Sequence, residues 1–214
     1  MGLRELKKEL TREAIADTAF RLFVERGFDR VPVTEIAREA QVAQATVFNY
    51  FPTKEDLFYS RLEALGDRLL DAVERRPAGA SAFAAVRGYL LQQGGLLAQA
   101  AAGERDALER LRTVNRVIAA SPALLAREQQ ALARVTGELA ALLAAETGAA
   151  PDDIEAQVAA NALVGVHRTL INYVRARVLA DDVPVRLATD VREQGIRAFA
   201  LLEHGLGDYA VKSP

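Results

Sequence analysis

Apolar residues recur at every third or fourth position along most of this 214-residue chain, and this helical period limits its fold more than any other feature. No segment alternates apolar and polar residues with the β-branched enrichment that is typical of strands. Half of the residues are hydrophobic and aromatics make up only 6%, so alanine and leucine must form most of any core. The sequence therefore predicts an all-α protein with about nine helices.

Glycine, proline and capping residues divide the helical pattern into segments. Gly27 is a natural end for the first segment, and Pro52 ends the third because the residue before a proline avoids the helical conformation. Thr53, with Asp56 three residues later, has the pattern of a capping box. The predicted helices cover residues 3–26, 33–40, 44–51, 53–76, 80–102, 105–120, 122–147, 152–180 and 186–206.

The composition excludes several kinds of site. The chain has no cysteine and two histidines, His167 and His204, which excludes disulfides, thiolate metal sites and a histidine-rich metal centre. We therefore expect no metal and no cofactor. No apolar run approaches the length needed to span a bilayer, and the first residues are too charged for a signal peptide. These features predict a soluble cytoplasmic protein without a membrane partner.

Two short helices joined by three residues stand out near the N-terminus. The predicted helices 33–40 and 44–51 flank residues 41–43 and follow a longer helix, which is the plan of a helix-turn-helix. Helical hairpins of this spacing also occur in ordinary cores, and Val47 and Phe51 are core residues in either case. The spacing alone therefore leaves DNA binding and simple packing both open.

The other face of the second short helix favours DNA binding. Its residues are small or hydrogen-bonding and carry no charge, and a lysine follows them: Gln44, Ala45, Thr46 and Asn49, then Lys54. A short helix with such a face can enter the major groove and present amide and hydroxyl groups to base edges.

The run from Thr11 to Phe58 strongly resembles the N-terminal region of the TetR family of transcriptional regulators. The most specific positions are Ala19, Leu22, Phe23, Gly27, Phe28, Ile36, Ala37, Ala40, Thr46, Val47, Phe48, Tyr50, Phe51, Lys54 and Leu57. The resemblance implies a helix-turn-helix DNA-binding domain over residues 1–53. It also implies a helical effector-binding and dimerisation domain over residues 54–214.

The resemblance assigns roles to single residues. It implies base contacts for Gln44, Ala45, Thr46 and Asn49, phosphate contacts for Tyr50, Lys54 and Thr34, and the recognition-helix N-cap for Ala43. The charged positions Arg4, Lys7, Lys8 and Arg12 are interpreted as a solvated face, with an arm that reaches DNA as the alternative.

Three residues depart from the family pattern. Gln41 replaces the usual turn glycine and is expected in a left-handed conformation. Ala43 replaces a serine and loses its capping oxygen. Pro32 replaces a frequent threonine before the supporting helix, although proline at a first helical position is well tolerated.

The last two predicted helices carry a seam of small and apolar residues: Ile154, Val158, Ala162, Gly165, Thr169 and Val178. The family resemblance implies that this helix pair packs against its mate in a homodimer. An ordinary core within one chain is the alternative.

The helical domain is expected to hold a small-molecule effector. The expected aliphatic lining is Leu90, Leu97, Leu111, Ile118, Leu124 and Val164, and the expected polar contacts are Tyr89, Asn115, Arg116, Asn161, His167 and Arg168. Arg116 or Arg168 could pair with an acidic head group. An amphipathic anion such as a fatty acyl compound is therefore the predicted effector.

The whole sequence predicts a ligand-responsive DNA-binding regulator, a repressor released from a pseudo-palindromic double-stranded DNA operator by its effector. The alternatives are an all-α enzyme and a helical adaptor without DNA binding. Asp152–Asp153 and Asp181–Asp182 lie at predicted helix ends, where they are typical caps, and no zinc-binding H-x-x-E-H pattern occurs. We therefore expect no enzymatic activity.

Overall fold

The computed structural model describes residues 2–60, 64–92, 97, 99, 107–180 and 186–206, with the side chains of residues 3, 4, 64–67, 205 and 206 left aside. These residues form ten helices and no strand, so the all-α prediction is confirmed. The helices are α1 (Leu3–Arg26), α2 (Val33–Glu39), α3 (Gln44–Tyr50), α4 (Lys54–Tyr59), α5 (Ala64–Glu74), α6 (Ala82–Leu91), α7 (Ala107–Ala119), α8 (Pro122–Thr147), α9 (Ile154–Leu179) and α10 (Leu187–Leu206).

The helix ends follow the capping signals in the sequence. Gly27 ends α1 with a φ of 84°. The Thr53 side chain accepts a hydrogen bond from the Asp56 amide, and the Thr53 amide donates one to the Asp56 carboxylate, which confirms the capping box. Pro32 is the N-cap of α2 with an extended ψ of 151°, and the helix begins at Val33 as predicted. The single helix predicted over 53–76 corresponds to α4 and α5, with residues 61–63 outside the described chain.

The chain divides into two compact units. The first consists of residues 1–64 and 116–127, and the second consists of residues 65–115 and 128–214. The first unit therefore extends past Thr53, where the sequence placed the functional boundary, and includes the end of α7 and the start of α8. That boundary concerns function and stays a prediction.

An aromatic cluster forms the centre of the first unit. The Phe58 ring lies 6.0 Å from the ring centroids of Phe20 and Phe23, 6.1 Å from that of Phe28 and 5.4 Å from that of Tyr59. Offset and edge-to-face ring contacts at these distances add to the stabilisation from burial alone. The cluster joins α1 to α4. The Tyr59 hydroxyl also donates a 3.0 Å hydrogen bond to the Leu124 carbonyl.

Aliphatic residues and alanines fill the second unit, where α10 packs against α6 and α9. Gly195 of α10 permits this packing, since a Cβ there would lie 2.7 Å from Leu91 Cδ2. Phe83 and Phe199 form an edge-to-face pair with centroids 5.6 Å apart. Val178 is fully buried in this core, so its predicted place on an outer dimer seam is wrong.

Two ion pairs join helices within the second unit. Arg76 follows α5, donates to Glu146 of α8 and to the Val73 and Ala80 carbonyls, and is almost fully buried. Arg175 of α9 donates to both carboxylate oxygens of Glu128 at 3.1 and 2.6 Å. None of the described helices combines the length and the apolar character needed to cross a membrane.

Candidate nucleic-acid interface

Helix α3 buries one face and exposes the other. Val47 and Phe51 are both buried in the first unit. Four residues separate them, so they lie on the same face, one helical turn apart. Gln44, Ala45 and Asn49 are exposed, and Thr46 is half-buried. The structure therefore brings the four residues predicted to contact bases onto the solvent side of one short helix. Neither acidic nor basic residues occur within α3.

The turn before α3 depends on Gln41. Among the described non-glycine residues only Gln41 has a positive φ, at 56°, as predicted from the missing turn glycine. This left-handed conformation costs a residue with a Cβ about 1–2 kcal/mol. The turn is closed by hydrogen bonds from the Gln41 amide to the Arg38 carbonyl at 3.1 Å and from the Val42 amide to the Ala37 carbonyl at 2.9 Å.

The start of α3 has no side-chain cap. Ala43 is its N-cap residue, as predicted, and offers no oxygen to the first amides of the helix. Its carbonyl still accepts hydrogen bonds from the Thr46 amide at 2.9 Å and the Val47 amide at 3.3 Å. The helix is therefore held mainly by the burial of Val47 and Phe51.

Contacts within the first unit hold the Lys54 side chain, which the sequence predicts to contact a DNA phosphate. Its ammonium donates a 2.6 Å hydrogen bond to the Phe28 carbonyl and lies 4.3 Å from the Phe28 ring centroid. Burial lowers the pKa of Lys54, and the carboxylates of Asp29 and Glu55 oppose this shift only in part. An ammonium group carries three donors, so two remain after the bond to Phe28. Lys54 thus fastens the start of α4 to the chain after α1.

Helix α2 is fastened to α1 by charged groups. Arg26 donates a 2.7 Å hydrogen bond to Glu35 Oε1, and Arg38 lies 3.4 Å from the same oxygen. The hydrogen bond from Arg26 holds the pKa of Glu35 below its usual value. Thr34, the second residue of α2, is exposed beside this network. The predicted phosphate contact is therefore accessible.

The remaining predicted positions of the first unit differ in exposure. Tyr50 is half-buried at the end of α3, whereas Lys7 and Lys8 are exposed on α1. Arg12 is half-buried, with its guanidinium 5.2 Å from the Phe51 ring centroid. Arg12 therefore packs on the core and is not a purely solvated charge, and the Arg4 side chain lies outside the described part of the chain.

No role was assigned to Phe48 from the sequence. Phe48 lies on α3 beside Asn49 and is 42% exposed, although large apolar residues are usually buried. The sequence showed it only as part of the family motif, where its aromatic ring suggested packing. Its position about 100° around the helix from the buried Val47 was the available signal.

The structure does not bring the six predicted polar effector contacts together. Asn161 and Arg168 are exposed and line a groove of about 650 Å³ with residues of α8. Arg116 is exposed and belongs to the first unit, as do the predicted lining residues Ile118 and Leu124.

The other three predicted contacts are partly or fully buried in the second unit. Tyr89 is half-buried there, and burial raises its pKa. Asn115 is buried and donates a 2.8 Å hydrogen bond to the Leu111 carbonyl of its own helix. His167 retains partial exposure, but its Nδ1 atom is buried. No group of acidic, histidine or cysteine side chains suited to a metal occurs among the described residues.

Comparisons with known proteins agree with this geometry. Residues 15–60 match the family described as bacterial regulatory proteins of the tetR family, and residues 93–206, more than half of the chain, match the MftR C-terminal domain. TcmR, an HTH-type transcriptional regulator of Streptomyces glaucescens, is 29% identical over 154 residues, which cover 71% of this chain and 67% of TcmR.

Two further similarities concern one domain and the fold. LuxR, an HTH-type transcriptional regulator of Vibrio harveyi, is 48% identical over 46 residues, 22% of each chain. The crystal structure of NalD, the secondary repressor of the MexAB-OprM multidrug efflux pump in Pseudomonas aeruginosa, has a TM-score of 0.51 and 19% identity. That similarity covers 90% of this chain and 96% of NalD. At this identity the similarity to NalD concerns the fold alone.

Proposed function

Because the chain belongs to the TetR family of bacterial regulatory proteins, and so is an HTH-type transcriptional regulator, we propose that it is a repressor released from its operator by a small molecule. The operator is a pseudo-palindromic DNA duplex, and the protein binds it as a homodimer. The observation that carries this proposal is the exposed, uncharged face of α3, held on a unit whose core is aromatic and tightly connected.

The residues proposed to contact DNA divide by chemistry into two groups. Gln44 and Asn49 carry amides that can pair with adenine edges, and Ala45 and Thr46 are small enough for close approach. Tyr50, Thr34 and Lys54 are assigned to phosphates, which set register without reading sequence. We add Phe48, whose exposed ring suits the methyl group of thymine.

The homodimer is proposed from the outer face of α9. Ile154 and Val158 lie one turn apart and are 69% and 58% exposed, which is unusual for large aliphatic residues. A Cβ on Gly165 would meet nothing within 4 Å, so this side of the helix is open within one chain. A second copy that covers this face places two α3 helices on one duplex, and paired half-sites supply the affinity that a single small unit lacks.

The effector is proposed to bind in the second unit. Helices α7 and α8 each contribute residues to both units, so a ligand that changes their position in the second unit also acts on the first. The ligand shifts DNA affinity only by its differential affinity for the free and DNA-bound states. An inducer must therefore bind the DNA complex more weakly than the free protein, by the same factor.

Selection of bound duplexes from a random pool, with the purified full-length chain, tests the proposal. We expect one enriched sequence with two related half-sites whose centres are separated by about one or more turns of DNA. Lys54→Ala is expected to weaken binding to all sequences and to flatten the salt dependence, since it removes one phosphate contact per subunit. A pool that shows no enrichment contradicts the proposal.

The oligomeric state is tested by ultracentrifugation of the Gly165→Arg variant. An arginine there extends from the open face of α9 and should yield monomers with weak DNA affinity. Gly88→Arg is the matched control, because its Cβ position is equally open and lies on a different helix, α6. A wild-type monomer at micromolar concentration, or equal behaviour of the two variants, contradicts the proposed dimer face.

A further inference from the structure

Two consecutive charged residues of α8 lie where the chain passes from the first unit to the second. Arg127 is the last residue of the segment 116–127 in the first unit, and Glu128 begins the following segment of the second unit. Both belong to one continuous helix, so a single peptide bond within a hydrogen-bonded backbone joins them. Their side chains leave the helix about 100° apart and form ion pairs with different partners.

Glu128 is held by Arg175 of α9. Two guanidinium nitrogens of Arg175 donate to the carboxylate at 3.1 and 2.6 Å, and the two side chains are only 12% and 13% exposed. A bidentate pair fixes direction as well as distance, and its attraction is stronger away from water. Arg134 and Glu138 form a second ion pair along the same helix, but both side chains are almost half exposed, where such pairs contribute little.

Arg127 holds the first turn of α4 through Asp56. Its Nε atom donates a 3.1 Å hydrogen bond to Asp56 Oδ1, and the other carboxylate oxygen accepts the Thr53 amide at 3.0 Å in the capping box. Burial acts to raise the pKa of Asp56, but the hydrogen bonds from Thr53 and Arg127 outweigh it and hold the pKa below its usual value. The charged carboxylate therefore connects Arg127 to the start of α4.

Lys54, which is proposed to contact a DNA phosphate, is the first residue of this helix. The end of α4 is also fixed to α8, because the Tyr59 hydroxyl donates a 3.0 Å hydrogen bond to the Leu124 carbonyl. Leu124 and Arg127 lie three residues apart and therefore on neighbouring positions of one side of α8. The short helix that begins with Lys54 is thus attached to α8 near both of its ends.

We propose that Arg127 and Glu128 are positioning residues for DNA binding. Glu128 is fixed by Arg175 in the second unit, and Arg127 fixes the start of α4, where Lys54 meets a phosphate. We refer to the ion pairs of Arg127 with Asp56 and of Glu128 with Arg175 as the charged link. The inference rests on the proposed function, because DNA affinity is the property that the charged link controls. A change at Arg175 therefore alters DNA affinity without the loss of a base or phosphate contact.

The test removes each half of the charged link from the full-length protein. Arg127→Gln breaks the pair in the first unit and keeps a polar side chain. Glu128→Leu combined with Arg175→Met removes the pair in the second unit without leaving an uncompensated buried charge, a replacement that is often neutral for stability. Arg134→Gln combined with Glu138→Gln is the matched control, because it removes an exposed ion pair from the same helix.

Affinity for the selected duplex is measured by fluorescence anisotropy over a range of salt concentrations. Arg127→Gln and the combined Glu128→Leu and Arg175→Met variant should each weaken binding about fivefold, the size expected when a coupled network is disturbed. The slope of the salt dependence should stay that of the wild type, because no phosphate contact is lost, in contrast to Lys54→Ala. The control variant should bind as the wild type does.

Two further variants separate positioning from a purely structural role. The protein that carries all three substitutions of the charged link should also lose about fivefold in affinity, because either break interrupts the same connection. Arg127→Lys keeps a cation opposite Asp56 and should recover most of the affinity lost in Arg127→Gln. Residues that only stabilise the fold predict a lower melting temperature with an unchanged dissociation constant for the folded protein.

Hydrogen exchange follows the start of α4 in the absence of DNA. The Leu57 and Ser60 amides donate to the Thr53 and Asp56 carbonyls, and their exchange should be faster in both broken forms of the charged link but not in the control. The proposal is overturned by losses that multiply in the triple variant, by a changed salt slope, or by an effect of Arg127→Gln alone.

Failure of the proposed function is recognised separately. A protein that enriches no duplex from the random pool refutes DNA binding, and the exchange of the α4 amides then decides the fate of the charged link. Faster exchange in the Glu128 and Arg175 variant supports the link without DNA, whereas wild-type exchange in that variant refutes it. A protein that binds its duplex equally well in every variant refutes only the positioning role.

Discussion

The two units of this protein differ in what fills their cores. In the first unit, Phe58 contacts four other rings, and its cluster ties α1 and α4 together. In the second unit, Phe83 and Phe199 form the aromatic pair among the described residues, and the remaining core is leucine, valine and alanine. In the first unit the half-buried Lys54 ammonium is hydrogen-bonded, because it donates to the Phe28 carbonyl. The second leaves two buried nitrogens unpaired.

This difference matches two different tasks. Ring contacts have preferred geometries, so the aromatic cluster fixes α1 against α4 within the unit that also carries α3. Aliphatic side chains of similar volume can repack at small cost, so an alanine-rich and leucine-rich core tolerates a ligand and more than one helix arrangement. The comparison suggests that rigidity is concentrated in the unit that contacts DNA and adaptability in the unit that binds the effector.

The largest change in the free energy of unfolding should come from replacing an aromatic ring in a core. Phe58→Leu is expected to lower the free energy of unfolding of the first unit by about 2–4 kcal/mol, since four ring contacts of roughly 0.5–1.5 kcal/mol are affected. Phe199→Leu, with one ring partner, should cost the second unit about 1 kcal/mol. Hydrogen exchange of helix amides during urea titration follows each unit separately. Equal costs in the two units would remove the basis of the comparison.

The DNA-contacting face should respond to substitutions that leave the cores untouched. Asn49→Ala on α3 is expected to change the preferred base at one position of each half-site, by about 1–3 kcal/mol, because one bidentate amide contact is lost. Asn161→Ala on α9, also exposed, should leave the preference unchanged. Repeated selection from the random duplex pool measures both. An altered base preference in the Asn161 variant would contradict the proposal that α3 of the first unit reads the DNA sequence.

Helix packing in the second unit can be tested with two glycines. Gly195→Ala places a methyl group 2.7 Å from Leu91 Cδ2, so the leucine side chain must turn aside and the gain in helix propensity should be largely offset. Gly137→Ala on α8 meets nothing within 4 Å and should stabilise the helix by up to about 1 kcal/mol. Urea unfolding measures both changes. An equal gain in stability from the two substitutions would mean that this core adapts even more readily than we infer.

The smallest expected change in stability concerns Gln41, in the turn before α3. Gln41→Gly should stabilise the first unit by about 0.5–1 kcal/mol, because glycine adopts the positive φ without strain while its unfolded state is freer. Gln41→Ala keeps the strain and serves as the control. Thermal unfolding separates the two variants. If both are equally stable, the left-handed residue at position 41 carries no strain, and the first unit is less constrained than its core suggests.

Local features of the first unit followed from neighbouring residues and were therefore predictable. The capping box of Thr53 and Asp56, the end of α1 at Gly27 and the left-handed Gln41 each involve residues within about one helical turn. The bounds of α8 agreed with the prediction for the same reason, since Pro122 opens it and Gly148 follows Thr147. The hydrogen bond from Lys54 to Phe28 could not be predicted, because it joins residues 26 positions apart.

The sequence by itself determined the helical class, most helix ends and the family motif with its uncharged recognition face, because periodicity, capping and motif spacing act over a few residues. The tertiary structure decided which polar residues of the second unit lie inside. His167 and Arg168 are adjacent in the chain, yet one has a buried nitrogen and the other is exposed, since successive helix positions differ in direction by about 100°. Only the packing of α9 against the other helices settles which direction is the interior, and with it the chemistry that the unit offers to a ligand.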